Sequence, residues 1–76
     1  MKLKDLLKII SFTQDVQILI YEGNGTEAVL FEGMVCDVPW RYAEMPLDND
    51  SGDCESTFAF VNEKGEAVIG IYVMEE

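Results

Sequence analysis

Histidine is absent from this chain, arginine occurs once, at position 41, and only five basic residues stand against fifteen acidic ones. The first absence removes the commonest general base and metal ligand at neutral pH. The second leaves a formal net charge of −10, so a phosphate backbone meets repulsion where nucleic-acid binders offer lysine and arginine. The same field opposes docking on anionic lipid. Direct nucleic-acid binding and membrane association are therefore not expected. There is no phosphate-cradling Walker loop, no dinucleotide-binding glycine pattern and no nucleophile elbow. The expectation is a non-enzyme with no catalytic residue, no cofactor and no metal.

Cysteine is scarce as well, with only Cys36 and Cys54. Their spacing is not that of a metal knuckle, and a disulfide would need both an oxidising compartment and close Cα atoms. Neither has a histidine partner to activate it, and an acidic setting raises a thiol pKa, so both are expected to be free and unreactive. No apolar run approaches the roughly 20 residues that span a bilayer. The start, Met-Lys-Leu-Lys-Asp-Leu-Leu-Lys-Ile-Ile, is cationic like a signal peptide but is interrupted by Asp5 and Lys8 with no cleavage site after it, so a cytoplasmic protein is the expectation.

What is present is grease. Of 76 residues, 49% are apolar, too many for an acidic disordered tail and enough for one small domain spanning 1–76 with a thin core. Leu3, Leu6, Leu7 and Ile10 recur at i, i+3, i+4 and i+7, one face of a short helix that must find a sheet to pack on. Val16, Ile18 and Ile20 alternate with Gln17, Leu19 and Tyr21 as a strand, and Gly23-Asn24-Gly25 tolerates the positive φ of a hairpin turn. The return strand runs from about Glu27 to Val38, with Gly33 marking a bulge or bend. Pro39 opens a short helical turn over 39–44, which Pro46 ends. Leu47 to Glu55 is a polar loop. Thr57 to Val61 and Ala67 to Met74, joined by Asn62-Glu63-Lys64-Gly65, form a second hairpin.

The pattern predicts an α+β domain: a short N-terminal helix packed on a strongly twisted, about four-stranded antiparallel sheet, two hairpins curling toward a half-barrel. Both faces of the last strand are apolar, with Ala67, Ile69, Ile71 and Val73 on one and Val68, Tyr72 and Met74 on the other. One short helix cannot cover two such faces, so the rest is hidden by curling, by the Trp40 segment or by a second copy in a homodimer.

Through its Lys-Leu-Lys-Asp-Leu-Leu start, its Asn-Gly hairpin, Glu32-Gly33, Val38-Pro39-Trp40-Arg41-Tyr42 and the final hairpin, the chain resembles a group of small uncharacterised proteins of Firmicutes and their phages. The resemblance implies a bacterial or phage origin and a single small domain. It carries no activity and no site residue.

Two constellations remain. Asp48-Asn49-Asp50-Ser51-Gly52-Asp53 has oxygen ligands at alternate positions, as calcium requires, but counted from Asp48 the glycine falls at position 5 instead of 6 and position 12 is Ala59 where a bidentate glutamate belongs. It reads as a solvated acidic loop. Trp40, Arg41 and Tyr42 combine two aromatics with the lone guanidinium, the residue types enriched at binding hot spots. Packing at the end of the sheet competes with that reading, as does pairing of Arg41 with Asp37 or Glu44. The functional expectation is a small interaction module of phage or mobile-element type contacting an unidentified protein through Trp40, Arg41 and Tyr42 or through a sheet edge. The alternative is an acidic mimic of nucleic acid that presents Asp48, Asp50, Asp53 and Glu55 to a basic groove.

Overall fold

The computed structural model describes residues 2–22, 25–48 and 57–74. A short helix α1 (Leu3–Leu7) leads into the hairpin β1 (Asp15–Tyr21) and β2 (Glu27–Met34), a 3-10 turn (Val35–Asp37) and a single-turn helix α2 (Trp40–Ala43) follow, and β3 (Thr57–Val61) and β4 (Ala67–Val73) form the second hairpin. This is the α+β domain expected. The two hairpins join at their centre, where β1 and β4 run parallel, so the sheet is mixed with strand order β2-β1-β4-β3. Each hairpin remains antiparallel within itself. Val16, Ile18 and Ile20 lie in register with Ile69, Ile71 and Val73, and all of these but Ile20 line the core.

Alpha-helix α1 has five residues, too few to persist alone. It is held by burial: Leu3 is fully buried and Leu7 nearly so against Val16, Ile18, Val35, Leu47, Ile71 and Val73. Each such leucine taken out of water is worth about 1.5–3 kcal/mol. The Leu3 N–H donates to the Met45 carbonyl at 2.9 Å, and the Asp5 carboxylate caps the helix by accepting from the Lys2 N–H at 3.0 Å. The helix is shorter than the leucine spacing to Ile10 suggests because its last turn tightens. Ile9 and Ile10 donate to the carbonyls three residues back, at Leu6 and Leu7. Ile10 stays against the core, while Ile9 turns out to 80% exposure.

Strand β2 also ends early, at Met34 instead of Val38. The Val35 and Cys36 N–H groups donate to the Gln14 and Phe12 carbonyls of the α1–β1 connector, which draws the chain off the sheet into the 3-10 turn. The bulge expected at Gly33 lies three residues earlier. Ile18 pairs with Phe31 and Leu19 with Val29, leaving Leu30 as the extra residue. A bulge sends two consecutive side chains to the same side, and Leu30 and Phe31 both pack against the core. Gly33 serves a different purpose, since a Cβ there would lie 3.0 Å from the Phe31 ring.

The sheet is open and does not close into a barrel. Glu32 of β2, Phe60 and Val61 of β3, and Lys64 of the β3–β4 turn line one shallow cleft.

Candidate functional site

Pro39, with φ of −59°, precedes α2, and its carbonyl accepts from the N–H groups of Tyr42 and Ala43. One helical turn then spreads its side chains by about 100° each. Tyr42 points inward and packs against the core. Trp40, two residues earlier, stands in solvent at 72% exposure. The predicted trio is therefore divided: Tyr42 is half-buried against the core, and Trp40 and Arg41 are exposed. Arg41 pairs with neither Asp37 nor Glu44 among the described residues. Its guanidinium lies over the Tyr42 ring, 4.9 Å from the centroid, and its Nη2 donates to the Tyr42 hydroxyl at 3.3 Å. Glu44 is engaged by Lys2 and Lys4, each at 3.1 Å, and the hydrogen bonds from these two ammonium groups hold its carboxyl below the usual carboxylate range.

Beside this corner, Leu7, Phe12, Val35 and Val38 form an apolar groove of about 460 Å³ with Lys4 and Lys8 on its rim. Phe12 is 71% exposed. The helix side of the molecule thus gathers exposed Ile9, Phe12 and Trp40 together with Lys2, Lys4, Lys8 and Arg41, leaving Lys64 as the one basic residue elsewhere. Cys36 borders the groove as an exposed free thiol, and Cys54 lies outside the described residues.

Of the acidic surface, only Asp48 is described. Its N–H donates to the Tyr72 carbonyl at 3.1 Å beside the Leu47–Val73 bridge. Asp50, Asp53 and Glu55 lie outside the described residues. Among the described residues no group of three or more potential ligands is placed to hold a metal ion, and no helix is long and apolar enough to cross a membrane.

A second surface was not picked out as a site from the sequence. On the sheet face away from α1, Tyr21 stacks on Tyr72 with centroids 4.6 Å apart and planes 10° apart. Phe58 continues the row 5.5 Å from Tyr72, and Phe60 lies a further 5.5 Å on. The register explains the row: Leu19 pairs with Tyr72, and Phe58 faces Gly70, whose missing side chain leaves room for the ring. Beneath the rings Leu19 and Val68 are buried, at 5% and 1% exposure. The Tyr72 hydroxyl donates to Glu27 at 2.9 Å. Crowding by the rings first, then the neighbouring Tyr21 hydroxyl and Glu27 carboxylate, holds it protonated well above the usual phenol range. The alternation of Phe58 with Phe60 and the two apolar faces of β4 were the legible traces of this row.

No protein-family model, curated protein or solved structure matches this chain.

Proposed function

We propose that this domain is a small, non-enzymatic protein-interaction module that engages its partner through Trp40 and Arg41 and the groove beside them. The observation that carries this reading is the position of Trp40. A domain this small has little apolar surface to spare, yet its only tryptophan stands 72% exposed, beside the lone arginine and a groove opening onto Phe12. Tryptophan and arginine together are the side chains that most often dominate binding energy at protein interfaces. Stacking on Tyr42 pre-orients Arg41, so less side-chain entropy is lost when a partner arrives. Lys4 and Lys8 on the groove rim, with Arg41 next to Trp40, favour a partner segment that is apolar with acidic flanks.

Affinity capture from an extract of the source cell, run in parallel with the wild-type protein and with Trp40→Ser, tests the reading. A protein retained by the wild type and lost with the variant supports it. Retention of the same protein by both would remove the corner from the interface. The nucleic-acid mimic rests on net charge, and its partner should be released steeply as salt rises, whereas a Trp40-anchored contact should change little.

A further inference from the structure

We infer that the uncovered face of the sheet is a second docking surface, for an arginine-rich polypeptide segment. Alpha-helix α1 and the buried side of Tyr42 lie on the opposite face, so this surface is separate from the Trp40 corner and does not depend on it. The row from Tyr21 through Tyr72 and Phe58 to Phe60 crosses three strands with continuous ring contact. Its underside is satisfied by Leu19 and Val68. Its outer side is not: Tyr21 is 44% exposed, Phe58 37% and the adjacent Val29 52%. Carboxylates flank the rings at both ends. Glu27 accepts from Tyr72 at one end, while Asp15, Glu32 and Glu66 line a cleft with Val68 at the other, where Lys64 is the one cation among the described residues.

Charge selects the occupant. Bases of a single-stranded nucleic acid stack on aromatic rows, but their phosphates would be set against these carboxylates. A second copy would bring its own net charge of −10 to a surface already negative. An arginine side chain suits both features, because its planar guanidinium stacks on an aromatic face and its fork of N–H groups matches a carboxylate. Glu32 shares one cleft with Phe60, Glu63 and Lys64, a shallow trough in which an extended segment would meet rings and carboxylates in turn.

The test is a titration of the full chain with a synthetic arginine-serine repeat peptide, followed by amide and aromatic chemical shifts. Shifts should concentrate on Tyr21, Phe58, Phe60 and Tyr72, with Trp40 unmoved. Tyr21→Ser and Phe58→Ser leave the net charge unchanged and should each weaken binding about tenfold. Glu32→Gln should weaken it by about threefold or more, while Asp37→Asn, an equal loss of charge outside this face, should change it by less than about twofold. Far-ultraviolet circular dichroism and the unliganded Trp40 and α1 amide shifts of both serine variants should match the wild type, which controls for folding. Equal effects of Asp37→Asn and Glu32→Gln, with neither aromatic variant weakened, would reduce the interaction to net charge and overturn the inference. So would oligothymidylate binding at the same rings, or a concentration-dependent dimer that buries them.

Discussion

Gly70→Ala is the smallest change that probes how the open face is built. Gly70 faces Phe58 across β3 and β4, and a methyl group there would overlap the Phe58 ring. The backbone of Gly70 is ordinary strand, so the cost is one of space. The ring has to swing off the sheet, loosening its contacts with Tyr72 and Phe60, each worth about 0.5–1.5 kcal/mol beyond area burial. Against this, alanine in a strand gains about 0.5–1 kcal/mol over glycine through the unfolded chain. The net is a destabilisation of roughly 1 kcal/mol, or about 4–8 °C in Tm for a domain of this size. Thermal unfolding by far-ultraviolet circular dichroism, with urea unfolding as a check on cooperativity, reads it directly. In a Phe58→Ala background the same substitution meets no ring and should be neutral or stabilising by about 0.5–1 kcal/mol, so the double-mutant cycle should show a coupling of at least about 1 kcal/mol. A Gly70→Ala protein as stable as the wild type, or a cycle that closes with no coupling, would refute the seating of Phe58 on Gly70.

Three further outcomes follow from the packing. Leu3→Ala empties a fully buried site and should cost about 2–5 kcal/mol, a large share of the 5–15 kcal/mol typical of a domain, seen as an early urea midpoint and loss of α1 protection in hydrogen exchange. Glu44→Gln removes both lysine contacts between α1 and the end of α2 and should lower the urea midpoint slightly, less so at high salt. Because the folded pKa of Glu44 is lowered from 4.5, its contribution is present above that value and fades as pH falls through the folded one, so variant and wild type should converge in acid. Tyr72 should ionise well above the usual phenol range in an ultraviolet titration. Its raised pKa adds stability below the unfolded value of about 10 that is lost as pH climbs past it, and Tyr72→Phe should flatten that alkaline decline.

Much of the architecture was legible because hydrophobic period and turn chemistry agree. The leucine stripe placed α1, the alternation in 16–21 and 67–74 placed the central strands, and Gly65, at φ of +80°, ends the Asn62–Glu66 turn where the Asn62 side chain accepts from the Lys64 and Glu66 N–H groups. The parallel contact of β1 with β4 was not legible, because which strands of two hairpins meet is decided by long-range packing that no local pattern encodes. Of the bulge or bend read at Gly33, the bulge lies at Leu30 instead, because a missing side chain has more than one use, and here it makes room for Phe31. Of the candidate site, a turn over 39–44 could be read. That Tyr42 would be the half-buried member and Trp40 the exposed one depends on the angle at which α2 meets the sheet, which one helical turn does not determine. The aromatic row was visible as an excess of apolar residues on the second face of β4, without the pairing that aligns Tyr21, Tyr72 and Phe58.

The outward stance of Trp40 carries the functional reading, and because it is the chain's only tryptophan its fluorescence reports that stance without any label. The free protein should show the red-shifted emission of a water-exposed indole, quenched by acrylamide nearly as efficiently as a free tryptophan derivative. A blue-shifted emission shielded from the quencher would place Trp40 inside the fold and contradict the account.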